Sequence, residues 1–437
     1  MKYSEFNFIS EFENTYILYN AMSGAVAKMP LETCNCVRKN DIDSLNENER
    51  NDMLKCGFIV SDNINEFEQY EQLHQKALRN SNTLYLTIAP TLACNFRCPY
   101  CYEEHEDIFM SNEVQAALLK FVEEKIVFGK YKNISTVWYG GEPVLAFQTV
   151  VSLSKKLLEI CNRHIVKYQA VMVTNGFLLD EAMAEQLKTA FVKAIQITID
   201  GTPETHGQRR ILKNNHSYNT YDKILKNVNM IAKKGIFVDI RINLDKENAF
   251  MIKRAVDELA KRIEYKKYVR IYATGIFCME DTATMNDGNL LAMKDSIQTS
   301  LQCTKYSTAA GFRTSKNDLL PAFKARFCAA PTGNAFVIAP TGDIYYCWND
   351  IGNKKYRVGS LNKSELNEDM ETQHELWIRK GQHLSEECLS CRSLPRCGGG
   401  CPRNYVHFDT KNDCKLNAFC IDDVLAFCMD NENMLKK

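Results

Sequence analysis

The stretch Cys94-Asn95-Phe96-Arg97-Cys98-Pro99-Tyr100-Cys101 follows directly on an apolar, strand-like run from Leu84 to Ala89. It carries three thiols in a Cys-x3-Cys-x2-Cys pattern and no fourth. Cysteine thiolates hold four-iron clusters, and such a cluster with three protein ligands keeps one iron open for chemistry. The alternative is zinc, which takes four nitrogen or sulfur ligands, usually from paired Cys-x2-Cys units. His105 is the nearby candidate for that fourth position.

Outward from this stretch, 437 residues are too many for one ordinary core and predict two or three domains. Fifty-four Lys and Arg balance fifty-four Asp and Glu, so bulk charge directs the chain neither to nucleic acid nor to a membrane surface. No apolar run approaches the roughly 20 residues of a membrane span. The start, Met1 to Phe6, lacks the basic opening and apolar core of a signal peptide, so a cytoplasmic location is expected. The eighteen cysteines are unevenly placed: seven fall between Cys328 and Cys414, and Cys420 and Cys428 follow. In a reducing compartment, metal ligation explains that clustering better than disulfides.

Residues 1 to 80 read as a separate small domain. Tyr16 to Asn20 is a strand, Ser23-Gly24 a turn, Ala25 to Met29 a returning strand, Asp41 to Lys55 a helix, and Gly57 to Val60 a closing strand. Hairpin, helices and strand predict a winged-helix-like unit; Cys34, Cys36 and Cys56 within it read as small buried residues. From Leu84 to Ala273, β-branched runs alternate with helical periods. Strands are expected at Leu84–Ala89, Ile134–Tyr139, Ala170–Thr174, Ala194–Ile199, Ile236–Ile242 and Val269–Ala273, with helices between them. Such alternation predicts a parallel sheet with right-handed crossovers. Six units are fewer than the eight of a closed barrel, so the α/β fold expected is a partial (β/α)6 TIM-like barrel, with its chemistry at the C-terminal strand ends.

Motifs fall at those ends. The Cys trio follows the first strand, and Tyr139-Gly140-Gly141-Glu142-Pro143 follows the second. Thr174-Asn175-Gly176 ends the third, and Gln196-Ile197-Thr198-Ile199-Asp200-Gly201 ends the fourth. Thr198 and Asp200 share one strand face, because side chains alternate. Together these resemble the radical S-adenosylmethionine (SAM) enzymes: the Cys-x3-Cys-x2-Cys spacing, Tyr100 before the last Cys, and the Gly-Gly-Glu-Pro element. The resemblance implies a [4Fe-4S] cluster on Cys94, Cys98 and Cys101 whose open iron chelates SAM, and reductive cleavage of SAM to a deoxyadenosyl radical. It also implies SAM contacts from Gly140, Gly141, Glu142 and Pro143, and from the polar residues Asn175, Thr198 and Asp200, although Thr198 reads equally as a cap of the next helix. His206-Gly207-Gln208-Arg209-Arg210 resembles the family's His-Asp-x2-Arg segment, with Gly207 in place of the acid. Arg210, or Arg241 on the fifth strand, is the candidate to grip SAM's carboxylate through a bidentate fork.

The C-terminal third, 311 to 437, resembles the SPASM extension of these enzymes. Cys328 and Cys347 flank Gly342, and Cys388-x2-Cys391-x5-Cys397-x3-Cys401 and Cys414 follow. By position, a first auxiliary [4Fe-4S] cluster takes Cys328, Cys347 and Cys401. Ala322 stands where relatives supply a fourth thiol, with Arg326 near, so its iron is a candidate for substrate thiolate unless Cys278 or Cys303 fills it. The second takes Cys388, Cys391, Cys397 and either Cys414 or Cys420, while Cys428 reads as core. Amides of Gly398-Gly399-Gly400 are expected to aim at cluster sulfurs.

The function implied is that of a radical SAM/SPASM maturase forming an intramolecular crosslink, thioether or carbon–carbon, in a ribosomal precursor peptide. Residues 1 to 80 resemble the domain that takes a leader peptide by strand addition. An external reductant such as flavodoxin or ferredoxin supplies the electrons. Three [4Fe-4S] clusters and SAM are the cofactors expected, with no nucleic-acid or membrane partner. The alternatives are an anaerobic sulfatase-maturating enzyme, against which stand the front domain and Trp348 where those enzymes carry an Asp base, and a non-catalytic iron-sulfur carrier or zinc-ribbon module.

Overall fold

The computed structural model describes every residue except 14, 80–81, 277–286, 321, 366–367, 409–420 and 431–437. The chain forms two compact units: 1–80, 315–328 and 380–437 in the first, 81–314 and 329–379 in the second. The stretch 311–437 thus contributes to both.

In the first unit, β1 (Lys2–Tyr3) pairs antiparallel with β5 (Ile59–Val60). β2 (Asn7–Phe12), β3 (Thr15–Asn20) and β4 (Val26–Met29) form an antiparallel meander that leaves β2 and β4 as its edges. Three helices follow this meander: α1 (Leu31–Arg38), α2 (Glu47–Cys56) and α3 (Glu66–Arg79). The sequence predicts one helix from Asp41, but α2 starts six residues later because Asn46 and Glu49 form a capping box there; Gly57, at φ 75°, ends it. Helix α3, which the sequence reading passes over, ties this unit's segments together. The Tyr70 hydroxyl donates to the Lys324 carbonyl at 2.7 Å, and the His74 ring meets the carbonyls of Ala325 (2.7 Å) and Gln382 (3.1 Å).

The second unit is built on one nine-stranded sheet. β6 (Thr83–Ile88), β7 (Asn133–Trp138), β8 (Lys167–Thr174), β9 (Val192–Thr198), β10 (Phe237–Leu244) and β11 (Val269–Gly275) are all parallel and adjacent in chain order. Helices α4 (Asn112–Gly129), α5 (Phe147–Arg163), α6 (Glu181–Thr189), α7 (Pro203–Arg209), α8 (Thr220–Lys233) and α9 (Ile252–Arg262) lie between them, and α10 (Met293–Ala309) follows β11. The α/β partial barrel expected from the sequence is therefore present. Along each strand one face is sealed and the other half-open: Leu84, Leu86 and Ile88 are buried, Tyr85 and Thr87 half-buried. The sequence places a hairpin turn at Pro340-Thr341-Gly342-Asp343, and the structure has it, but the sheet it extends is not foreseen. β12 (Ala335–Ile338) adds parallel to β6, and β13 (Asp343–Tyr345) and β14 (Gly359–Ser360) continue antiparallel. Val337, Ala339 and Tyr345 of this extension pack with Ala89 and Leu92 at the root of the cysteine loop.

Candidate active site

Three backbone anchors hold the loop after β6. The Gly141 and Glu142 amides donate to the carbonyls of Thr91 (3.3 Å) and Ala93 (2.8 Å), while the Arg97 amide donates to Ile211 (2.8 Å). A Cβ on Gly140, at φ 101°, would lie 2.4 Å from the Thr91 oxygen, and one on Gly141 2.4 Å from the oxygens of Leu92 and Ala93. These glycines let backbone lie on backbone, before any ligand is considered.

Each thiol of the trio receives a donor: the Phe96 amide reaches Cys94 Sγ at 3.4 Å, Arg210 Nη1 reaches Cys98 Sγ at 3.4 Å, and the Glu103 amide reaches Cys101. Burial pushes Cys94 and Cys101 up to about 12 and raises Cys98 too, against the pull of Arg210. Thiols so placed become thiolates only when a cationic centre takes them. Among the described residues no three Cys, His, Asp or Glu side chains are gathered tightly enough for one metal ion. His105 instead bonds to the Leu92 backbone. Donors facing three spaced sulfurs fit an iron-sulfur cluster, which spreads its thiolates, better than a single zinc ion, whose ligands crowd within about 2.3 Å of it.

The other candidates lie around this loop. Glu142 is wholly buried, and its carboxylate accepts from Val144 N (2.9 Å), Thr174 Oγ1 (2.6 Å) and Asn175 N (2.7 Å), tying the end of β7 to that of β8. Pro143, buried, opens the short turn that follows. Asn175 Nδ2 donates to Asn95 Oδ1 at 2.8 Å. Asp200, also wholly buried, accepts from the Tyr100 hydroxyl and, at 2.9 Å, from the Asn243 amide. Thr198 is buried at the end of β9, in register with Arg241, whose Nε donates to Asn243 Oδ1 at 2.8 Å.

Residues 88–288 match the family model of the radical SAM superfamily. This is a radical SAM domain. The chain is 24% identical over 372 residues to the serine-type anaerobic sulfatase-maturating enzyme of Bacteroides thetaiotaomicron, covering 77% of this chain and 87% of that one. It is 22% identical over 457 residues to the radical SAM cyclopropyl synthase TigE of Paramaledivibacter caminithermalis, covering 90% and 88%. Its fold is similar to that of Streptococcus suis SuiB bound to precursor peptide SuiA, with TM-score 0.53 and 16% identity over 96% of this chain and 99% of that one.

The radical SAM domain also carries polar and aromatic residues that sequence reasoning passed over. The Tyr102 and Tyr139 hydroxyls bond to each other, and Tyr139 stacks on Trp348. Glu103, beside Cys101, has one buried carboxylate oxygen without a partner, and burial raises it to about 7. Adjacency to the first and second motifs was the available signal for Tyr102, Glu103 and Tyr139. Arg209 ties α7 to the end of β10 through Asp245; an arginine beside the one already chosen was its only trace in sequence.

In the first unit, Ser385 Oγ donates to Cys388 Sγ at 3.4 Å, and the Gly399 and Gly400 amides reach the Cys397 thiol, which lies close enough to Cys388 to feel its charge. Gly398, at φ 75°, has no room for a side chain: a Cβ would sit 2.5 Å from the backbone of Arg326 and Phe327. Arg326 itself donates to the Ala77 carbonyl. Cys391 is half-buried and Cys428 buried in this unit. Cys328 and Cys401 belong to it as well, whereas Cys347 belongs to the second unit. Cys278, Cys414 and Cys420 lie outside the described residues. Cys303 is wholly buried in α10. Every described cysteine is free of disulfide bonds.

Proposed function

We propose that this radical SAM enzyme crosslinks a ribosomally made precursor peptide, with Cys94, Cys98 and Cys101 holding the cluster that activates SAM. Bound there and reduced, the cluster would supply the electron for cleavage of SAM, and with it the radical chemistry that removes a hydrogen from the substrate. This chain's residues place and shield the reactants. Gly140 to Pro143 and Asn175 frame the cofactor loop, Thr198 and Asp200 line the next strand end, and Arg210 or Arg241 receives SAM's carboxylate. The observation that carries the peptide reading is the three-stranded sheet of the first unit, which ends on β4. β4 is an edge strand on which an extended leader can add. Likeness to SuiB across 96% of the chain, where the solved complex holds a precursor peptide, supports it.

Two auxiliary clusters complete the reading: Cys328, Cys347 and Cys401 for one, and Cys388, Cys391, Cys397 with Cys414 or Cys420 for the other. The donors aimed at Cys388 and Cys397 support the second. Anaerobically reconstituted protein is expected to hold about twelve iron per chain, four for each cluster. We place the enzyme in the reducing cytoplasm, supplied by a flavodoxin- or ferredoxin-type donor.

Sulfatase maturation is the second reading, favoured by likeness to the Bacteroides enzyme. Incubation with SAM and reductant separates the two. A crosslinked precursor loses two hydrogens and gains no carbonyl, whereas a matured sulfatase peptide gains an aldehyde that a hydrazide captures. Hydrazide capture with no crosslink in any neighbouring precursor would overturn the first reading. Deletion of residues 1–80 is not a clean test of leader binding, because α3 also anchors 324–325 and 382 within its unit. Proline at Val26 on β4 is the sharper variant: in the register Tyr19↔Val26, Leu18↔Ala27 the Val26 N–H faces away from β3, so proline removes a donor from the outer edge, and unchanged peptide affinity would refute the edge-strand reading.

A further inference from the structure

Arg209 and Arg210 are neighbours, both more than nine-tenths buried, and they are partnered in opposite ways. Arg209 has carboxylates: Nη1 donates to Asp245 Oδ2, Nε lies 3.8 Å from Asp200 Oδ2, and Nη2 donates to the Asn243 carbonyl at 3.2 Å. Arg210 has none within ion-pair distance among the described residues. Its Nη1 donates to Cys98 Sγ at 3.4 Å and to the Tyr100 hydroxyl at 3.2 Å, its guanidinium lies 5.3 Å from the Phe96 ring centre, and its Nε has no partner. A guanidinium does not shed its proton, and a buried cation without an anion is strongly unfavourable. Asp200 reaches Arg210 only through the Tyr100 hydroxyl and is already shared with Arg209, so the anion left to meet Arg210 directly is the one the cysteine loop holds at Cys98.

The surroundings fix Arg210 in this pose. Tyr100 gives its proton to Asp200, which the Asn243 amide and Arg209 hold in place, so the phenol oxygen is left to accept from Arg210. The Arg210 carbonyl accepts from Thr220 Oγ1 at 2.9 Å, and Thr220 in turn contacts His206. Neither end of the residue is free to swing.

We propose that Arg210 is the fixed counter-cation of the first cluster, donating to its Cys98 thiolate and raising the potential at which it accepts an electron, with Tyr100 as the positioning residue. The inference rests on Cys94, Cys98 and Cys101 being the ligands. In the step concerned, one electron passes from a low-potential one-electron donor to the oxidised cluster and no bond is made or broken. The reduced cluster carries one more negative charge, so a nearby cation favours it over the oxidised form.

The test is an EPR-monitored redox titration of the holoprotein without SAM, reading the signal that is absent from the Cys94→Ala/Cys98→Ala/Cys101→Ala protein. Arg210→Gln should make reduction at least tenfold less favourable, a fall of about 59 mV for one electron. Arg210→Lys should recover part of that fall, and Tyr100→Phe should give a smaller shift of the same sign. If Arg210→Gln keeps the wild-type potential and only SAM binding weakens, Arg210 serves SAM alone and the inference is wrong. Where the glutamine variant loses iron, Arg210→Met, which keeps the length and removes the charge, decides in the same way: a lowered potential supports the role and an unchanged one overturns it. If the wild-type signal survives in the triple-Ala protein, the ligand assignment itself has failed, and the inference with it.

Discussion

Tyr139 lies nearly flat against Trp348, their ring centres 5.8 Å apart and their planes at 17°. Trp348 is 47% exposed, whereas Trp138 and Trp377 are sealed in the core. Acrylamide quenching of the native protein should therefore report Trp348 alone, and Trp348→Phe should abolish the quenchable component. Trp348→Ala loses one stacked aromatic pair, worth about 0.5–1.5 kcal/mol. Under the reading proposed here, peptide modification should then fall about two- to tenfold, measured by mass spectrometry of the product.

Glu142 is expected to hold the ends of β7 and β8 together. Replacing it with Ala leaves three donors, Val144 N, Thr174 Oγ1 and Asn175 N, without their acceptor. Each orphaned donor costs about 1–3 kcal/mol, so Glu142→Ala should lose about 3 kcal/mol or more in urea denaturation. Glu142→Gln, which keeps one carbonyl acceptor, should lose less.

Gly141 and Gly207 should respond oppositely to a methyl group. On Gly141 it meets the carbonyl oxygens of Leu92 and Ala93, and the cysteine loop must move; on Gly207 it meets nothing within 4 Å. A displacement of that kind costs on the order of 100-fold in rate, so Gly141→Ala should nearly abolish deoxyadenosine formation from SAM. Gly207→Ala should retain it and gain up to about 1 kcal/mol of stability from helix propensity.

His206 sets a pH limit on the fold. Burial, and then the charges of Arg210 and Arg209, hold its imidazole well below its usual value. Its partners assign the proton to Nε2, which donates to Thr220 Oγ1 at 3.1 Å, while Nδ1 accepts from the Asp200 amide at 3.3 Å. The folded state keeps the ring neutral, and the unfolded chain takes a proton near pH 6.5. This contribution to stability is therefore complete above about pH 6.5 and is lost as pH falls toward the lower folded value. The urea midpoint should drop between pH 7.5 and pH 5.5, and His206→Gln should flatten that slope.

The barrel was legible because each of its six strands is a short β-branched run and each strand-end motif sits next to one. The place of β12 in the sheet was not, since Ala335–Ile338 join it by pairing with β6, some 250 positions earlier, and the local hairpin with β13 gives no sign of that partner. Within the site, residue types and spacing named Asp200 and Tyr100 separately. Their bond joins residues a hundred positions apart, so it emerged only in three dimensions. The same holds for Arg210 and Cys98. Helix α3 did carry a readable signal, with Tyr70, His74 and Leu78 buried at helical spacing.

The anchoring of α3 to the carbonyls of Lys324, Ala325 and Gln382 bears on how the protein is made. A ribosome that has finished Arg79 must add roughly 300 more residues before Gln382 exists, which at about 5–20 residues per second takes on the order of 15–60 s. During that interval the amphipathic helix emerges without its closing partners while the second unit is being synthesised. The nascent chain therefore passes through a stage in which Tyr70 and His74 are exposed, and a chaperone that masks α3 would act on this protein during synthesis rather than after it.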